Sequence, residues 1–464
     1  MSDYLRNMIN NQSITPPATL IKGATLLSMD DRVGNFERGD ILIEGAKIVA
    51  IGENLAAEGA RIIDATHMIA MPGLVDTHRH AWEGQLRRIN PDAKTLEDYC
   101  NATHFSFARY YRPADIYIGN LLTALGCIDA GITTVIDNSH NSRTAAHSDA
   151  AVEALLDAGI RAVHASGAPV SGEWDRAHWP GNWQRLQEKY FQNNPESLVS
   201  LAVMAQLEPE RWLEARRLGL PIVTEFFGGE MASQLEALHQ QGLLGPDNIF
   251  NHCTALPDDG WKILRDAGVR VNVCPRSDAH YGIEDGMFAL QSALRHGISP
   301  GLSVDNETSY SGDMFMEMRV AFYLQRVMGM HQQHCCGSAH TVNTLHTQQL
   351  LKAATVDGAA CAGLQESIGS LTPGKQADLV LINAGALNLY PSGNAFGTVV
   401  HAAERSNIHT VMIAGRIVKQ DGNVLGVDIT RIRGAIDESR HHLFTSAGYE
   451  PDIFADAFLP LAQD

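Results

Sequence analysis

The sequence predicts an α/β protein: a (β/α)8 barrel of the TIM type, with a small composite β-sandwich domain formed by both chain ends. Three observations predict it. Short apolar runs alternate with helix-like stretches through the middle of the chain. Many of those runs end in polar residues. Two β-rich segments of similar texture lie far apart, one near each end.

The first β segment covers residues 19–70. TLIKGATLLSM, DILIEGAKIVAIG and RIIDATHMIAM alternate or run apolar, and Gly and Asp turns separate them. Eight apolar runs follow: GLVDTHRH (73–80), ITTVIDN (132–138), IRAVHAS (160–166), LVSLAVM (198–204), LPIVTEF (220–226), NIFNHC (248–253), VRVNVC (269–274) and PGLSVDN (300–306). Between them, SDAAVEALLDAG (148–159) and MASQLEALHQQG (231–242) have helical apolar spacing and end in Gly, as helix C-termini often do. An open doubly wound sheet has the same rhythm. The polar run ends favour the barrel, whose chemistry sits at strand C-termini. The β texture returns in GSLTPGKQADLVLIN (369–383) and TVMIAGRIVKQDG (410–422), and a helix-rich stretch follows residue 427. The expected divisions are 1–70 and 369–425 for the two parts of the β-sandwich, 71–368 for the barrel and 426–464 for a helical tail.

Composition narrows the function classes. The 464 residues carry 35 Lys plus Arg against 53 Asp plus Glu, a formal charge of −18. That argues against a nucleic-acid binder with a broad basic face. Hydrophobic residues at 45% and charged residues at 19% fit a folded chain. The seven cysteines are odd in number and show no disulfide framework, which points to a reducing compartment. The start, MSDYLRNMINNQS, lacks an apolar core for a signal peptide, and no apolar run reaches the length of a membrane span. A cytoplasmic location without a membrane partner is expected.

The strongest chemical signal is His78-Arg79-His80, directly after the apolar run GLVDT. Residues i and i+2 of a strand share a face, so both imidazoles would look into the barrel mouth, half of a Zn, Fe or Mn site. The plain alternative is two polar loop histidines. His252 ends NIFNH and Asp305 ends PGLSVD. Each alone reads as a hydrogen-bonded strand end; with the His pair they read as a metal set.

Other polar residues fall near run ends: Asn138, His140, His164, Arg276, Asp278, His280, Tyr281, Asn306 and Glu307. Of these, Asp278 and His280 are the best candidates for substrate contact or proton transfer, and His140 and Asn306 are expected to line the pocket. Trp82 and Gln85 would cover its floor or a ring face. Trp174, Trp179 and Trp183 would form a lid or pack a loop. The cluster His331, His334, Cys335, Cys336, His340 and His346 lacks paired ligand spacing and reads as a barrel-edge or subunit-contact segment.

MPGLVDTHRH, NHCTAL, LSVDN and GSLTPGKQADLVLI together resemble the amidohydrolase superfamily, in its cytosine deaminase and triazine hydrolase branch, over residues 19 to about 425. The resemblance implies one divalent metal ion, Zn first, with Fe, Mn or Co as alternatives. It implies ligands at His78, His80 and Asp305, with His252 on the metal or orienting its water. It also implies a small-molecule substrate and a homo-oligomer.

The sequence departs from the family on the fifth strand, which usually reads Pro-x-His-x-His-x-x-Glu. Here Pro221-Ile222-Val223-Thr224-Glu225-Phe226-Phe227-Gly228 contains no His. Counting from Pro221 puts Glu225 at the ligand position, where a carboxylate can replace imidazole. A register one residue earlier would put Thr224 there. Gly228 falls where the family has its catalytic Glu, with Glu230 two residues further. The fourth run, LVSLAVMAQLEPE, has no Lys to bridge two metals, so a mononuclear site is expected, with Glu208 left open.

The resulting expectation is hydrolysis by metal-activated water of a non-peptide C–N bond in a small polar or heterocyclic molecule: a deaminase, N-dealkylase or amide/urea-type reaction. His252 or Asp305 would carry the proton, and His280 would steady the oxyanion. The alternatives are C–Cl or C–S hydrolysis on the same scaffold, an iron-dependent oxygen-using or lyase enzyme, and a non-catalytic scaffold homologue.

Overall fold

The structure is a computed structural model that describes residues 8–9, 18–178, 181–336 and 345–454. Five strands open the chain: β1 (Ala18–Leu26), β2 (Phe36–Glu44), β3 (Lys47–Gly52), β4 (Arg61–Asp64) and β5 (Met68–Pro72). Eight follow in the barrel: β6 (Leu74–Arg79), β7 (Ile132–Ser139), β8 (Arg161–Ser166), β9 (Val199–Met204), β10 (Ile222–Phe226), β11 (Asn248–His252), β12 (Arg270–Val273) and β13 (Gly301–Leu302). Four close the chain: β14 (Leu379–Asn383), β15 (Ile408–Ile413), β16 (Arg416–Gln420) and β17 (Asn423–Val424).

Strands β6 to β13 pair in chain order, and all seven neighbouring pairs are parallel. Burial on both faces explains why their sequences read as nearly continuous apolar runs. The ring closes between its ends. Thr77 Oγ1 donates to the Leu302 carbonyl at 3.1 Å, and Asp305 N and His80 N exchange bonds with the His78 and Asp305 carbonyls at 2.9 and 2.8 Å. Gly301 permits this approach, because a Cβ there would lie 2.6 Å from Thr77 Cγ2. The closure brings the end of the eighth barrel run onto the His-x-His segment of the first.

The other nine strands form one sheet, ordered β17-β16-β15-β14-β5-β1-β2-β3, with β4 on β1. The chain ends meet where β14 runs antiparallel to β5, pairing Val380 with Met71 and Leu381 with Ala70. This is the β unit that the two distant segments predict. Asp378, just before β14, accepts from Arg161 Nε and Nη2 at 2.7 and 3.0 Å, so a buried ion pair ties this sheet to β8.

The last helix, Ile429–Ala447, packs on the barrel flank. Arg440 Nη1 donates to the Gln85 carbonyl at 2.6 Å, and Gln85 Nε2 donates to Ser439 Oγ at 3.1 Å. Among the described residues no helix is long and apolar enough to cross a membrane.

Candidate metal centre

Five side chains converge where β6, β10, β11 and the segment after β13 end. His78 Nε2 lies 3.0 Å from Asp305 Oδ1 and 3.7 Å from Glu225 Oε2. His80 Nε2 lies 3.1 Å from Asp305 Oδ1 and 3.8 Å from Glu225 Oε1. His252 Nε2 lies 3.4 Å from Glu225 Oε2. The ligand atoms of His78, His80 and Glu225 all fall within 4.8 Å of one another.

The backbone is bent to make this set. His252 and Asp305 take left-handed φ values of 66° and 73°, a conformation that costs a non-glycine residue about 1–3 kcal/mol and clusters at functional sites. Between β10 and β11 the parallel register sets Glu225 beside Asn251 and Phe226 beside His252. Of the two fifth-strand residues, Glu225 faces the histidines. Thr224 instead donates from Oγ1 to the Ala205 carbonyl at 2.7 Å.

A surrounding layer fixes each group. His80 Nδ1 meets the Asn138 carbonyl at 3.1 Å, and His252 Nδ1 meets Asp278 Oδ1 at 2.7 Å. Both contacts leave Nε2 facing inward, as metal-bound imidazoles require. Asn138 Nδ2 donates to Glu225 Oε1 at 3.2 Å. Ser277 Oγ and Asn306 Nδ2 donate to Asp305 Oδ2. Each carboxylate therefore has one oxygen held and one turned inward.

The inward atoms are the ones left over. His78 Nε2, Glu225 Oε2 and Asp305 Oδ1 are buried and make no aligned hydrogen bond. Leaving such atoms unpaired costs roughly 1–3 kcal/mol each, more when charged. Two or three imidazole nitrogens and two carboxylate oxygens around one point are a donor set for a divalent cation, so the residues fit such an ion.

The protonation pattern agrees. Burial opposes charge on His80, yet the Asp305 carboxylate 3.1 Å away and then Glu225 push its pKa up to about 10. Burial works against Asp305 and Glu225 as carboxylates, but the histidines hold both well below the usual range. Protons on the imidazoles do here what a cation does when bound.

The other expected residues separate into groups. Asp278 is buried at the back of His252, and burial raises its pKa. Asn306 bonds Asp305 and accepts from Tyr281 OH at 3.0 Å. The His140 ring stacks on His80 at 4.5 Å, and its Nε2 is buried without a partner. Trp82 packs against Tyr111 and His104 at 5.1 and 5.4 Å. Gln85 is turned to the last helix and the Asp115 carbonyl. The ring neighbours of His280 are Tyr281 and Tyr310, at 5.0 and 5.7 Å.

His140 also opens on a cleft of about 950 Å³ formed by residues 168–176 and the end of β9. Trp174 and Trp183 line it; Trp179 lies outside the described residues. Glu208, left open above, lines this cleft and pairs with Arg211 at 3.0 Å. His331 and Cys335 pair on an exposed helix face, and His340 lies outside the described residues.

Sequence reasoning missed Glu83, Tyr99 and His104. Burial pushes the Glu83 carboxyl up to about 8, and burial with nearby His80 takes His104 down to about 3. Glu83 had a signal in its spacing from His80. Tyr99 and His104 sit in the long segment after β6, whose path no motif fixes.

Residues 220–418 match the family model described as Amidohydrolase family. The chain is 26% identical over 452 residues to a 5'-deoxyadenosine deaminase of Methanosarcina barkeri, spanning 92% of this chain and 98% of that one. It is 28% identical over 453 residues to a 5-methylthioadenosine/S-adenosylhomocysteine deaminase of Carboxydothermus hydrogenoformans, spanning 92% and 97%. Its fold is similar to the zinc-bound structure of an adenosine deaminase from Xanthomonas campestris, with TM-score 0.79 and 21% identity over 92% of this chain and 98% of that one. An atrazine chlorohydrolase from Arthrobacter aurescens, complexed with zinc, superposes with TM-score 0.77 and 22% identity over 92% and 100%. With the barrel and the chain-end sheet in hand, the chain carries an amidohydrolase family domain over residues 220–418, and the deaminases it is similar to match it over almost their full length.

Proposed function

We propose that the chain is a mononuclear metal-dependent hydrolase that cleaves a non-peptide C–N bond in a small polar or heterocyclic substrate. The observation that carries this is the trio of buried atoms, His78 Nε2, Glu225 Oε2 and Asp305 Oδ1, that face one another without an aligned hydrogen bond. His78, His80, Glu225, His252 and Asp305 would hold the ion, zinc in the first instance. When bound, a divalent ion lowers the pKa of a coordinated water from 15.7 toward about 7 and so supplies a nucleophile at neutral pH.

The protein's own groups do the rest. Asp305 takes the proton that the attacking water loses, with Ser277 and Asn306 fixing its other oxygen. Asp278 orients His252 through Nδ1, so that Nε2 faces the reacting centre. His140 and Trp82 bound the substrate ring, and the cleft beyond His140 takes the remainder of a substrate larger than a free base. His280, beside Tyr281 and Tyr310, is our candidate donor to the oxyanion. We place the enzyme in the cytoplasm as a homo-oligomer, acting on small molecules rather than nucleic acid or membrane.

Gly228 favours a second reading. With no acid at that position, a leaving group that departs unprotonated, chloride or thiolate, suits the same water attack.

The test is metal content on protein purified without added metal, then after reconstitution. About one Zn, Mn or Fe per chain is expected, falling below about a tenth in His78→Ala and Glu225→Ala, since loss of a buried ligand removes a bond that no water replaces well. Full metal and full activity in His78→Ala would sink the assignment. Turnover is then screened on 5'-deoxyadenosine and on amino-, alkylamino- and chloro-substituted heterocycles.

A further inference from the structure

An amine leaves carbon readily only if its nitrogen gains a proton. A donor is therefore needed close to the reacting centre, and the carboxyls there are nearly all committed. Asp305 and Glu225 face the histidines, and Asp278 holds His252 Nδ1. The end of β10 offers none. A Cβ on Gly228 would sit 2.5 Å from the Thr254 carbonyl oxygen and 2.6 Å from Leu256 Cβ, so no side chain fits without moving the turn after β11. Glu230 is exposed, and its amide is tied to Glu284 Oε1 at 2.8 Å.

Glu83 is different. It lies on the short turn Ala81–Leu86 directly after β6, and its backbone N–H caps the His80 carbonyl at 3.2 Å. The residue is buried. Oε1 accepts from Tyr99 OH at 2.7 Å, while Oε2 has no hydrogen-bond partner. Tyr99 in turn packs 6.4 Å from the His80 ring and 5.3 Å from Tyr281, between the first strand's mouth and the segment after β12. A carboxyl with one oxygen anchored and the other free is poised for one further partner.

We propose that Glu83, oriented by Tyr99, delivers the proton to the leaving nitrogen, so that proton delivery comes from the first strand rather than the fifth. This rests on the C–N reading above. The step balances. Water's oxygen forms the new C–O bond as Asp305 takes its proton, Glu83 Oε2 gives its proton to the nitrogen, and the C–N bond breaks with its electron pair going to nitrogen; Asp305 then releases its proton and Glu83 takes one up, through solvent admitted as product leaves. Neutral amine and the hydroxylated product are released.

The experiment compares wild type with Glu83→Gln, both metal-loaded, on one heterocyclic ring carrying alkylamino, anilino or chloro as the leaving group. Glu83→Gln keeps shape and hydrogen bonding but has no proton to give. Its metal stoichiometry and KM are expected to stay within about threefold of wild type. Its kcat should fall about a hundredfold or more for alkylamine, less for aniline and only a fewfold for chloride, the spread expected of a general acid. Tyr99→Phe should show the same order with smaller losses, and guards against a folding defect in the first variant. Equal losses for every leaving group, or none, would overturn the assignment and leave the C–N reading standing. If metal-loaded wild type turned over no member of the series, that reading would fall and the Glu83 assignment with it.

Discussion

The barrel mouth and the chain-end sheet are both buried, and they are built on opposite principles. The sheet encloses Ile21, Leu26, Ile41, Ile43, Ile48, Leu379, Leu381 and Met412, a cluster of side chains with no polar atoms to satisfy. The mouth buries His78, His80, Glu83, Glu225, His252, Asp278 and Asp305, and His78, His80, His252, Glu225 and Asp305 meet there at 3.0–3.8 Å. Apolar burial stabilises at about 25 cal/mol per Å², whereas a buried charge costs several kcal/mol unless paired. One region therefore stabilises the fold, and the other spends part of that stability to hold a reactive arrangement. Substitutions in the sheet should lower stability and spare the metal. Substitutions in the mouth should do the reverse.

The most severe challenge to that division lies at the seam. Arg161 and Asp378 are both buried, bonded twice, and join β8 to the start of β14. Arg161→Ala leaves the buried Asp378 side chain with only the Ala414 N–H, at 2.7 Å, as a donor, and removing one partner of a buried pair costs about 3–5 kcal/mol. The urea midpoint should fall accordingly while metal per chain at neutral pH stays at the wild-type value. Loss of metal in step with the midpoint would show that seam and mouth are one energetic unit.

Within the sheet, Leu381→Ala deletes a fully buried side chain on β14 opposite Ala70. A cavity of that kind costs about 2–5 kcal/mol, depending on how far the neighbours relax. Here kcat and metal content are expected to be unchanged at 20 °C, with the whole effect in thermal and urea unfolding. A kcat change without a stability change would break the contrast from the other side.

The two regions also differ in how legible they were. The sheet was readable because β-branched runs and Gly turns are local signals, and two separate segments with the same texture had to find each other to bury an apolar face. The barrel was readable from eight runs ending in polar residues. His78 and His80 followed from a spacing of two on a strand, but His252 and Asp305 only from standing at run ends. Glu225 over Thr224 needed the register of β10 on β11, which one residue of slip would invert. Tyr99 and His104 lie in a segment where a helix, a π-turn and a 3-10 turn follow one another. Their approach to His80 is a tertiary fact with no local code. Gln85 shows the opposite error: three residues from Trp82 and five from His80, it nonetheless faces the last helix, because the 3-10 turn rotates it away from the mouth.

The smallest expected effect is the sharpest test of charge in the stable region. Asp40 on β2 is buried, accepts from the amides of Gly23 and Leu55 at 2.8 and 2.9 Å, and pairs with Lys22 at 3.1 Å. Burial alone would raise its pKa, but the two amides and Lys22 together lower it below 3.8. A group depressed in the folded state contributes stability that is fully present above its unfolded pKa, about 3.9, and is lost as pH falls through the folded value. Asp40→Asn should therefore be less stable than wild type at pH 7 by about 1 kcal/mol, the net worth of such bonds. The gap should narrow as pH falls below about 4, because wild type then loses what the variant never had. The mouth is the same in both proteins, so whatever it titrates cancels in the difference. A gap that stays constant from pH 7 to pH 3 would mean that the Asp40 shape, not its charge, supports the strand. The line between an uncharged stable sheet and a charged reactive mouth would then be sharper than the ion pair at Asp40 suggests.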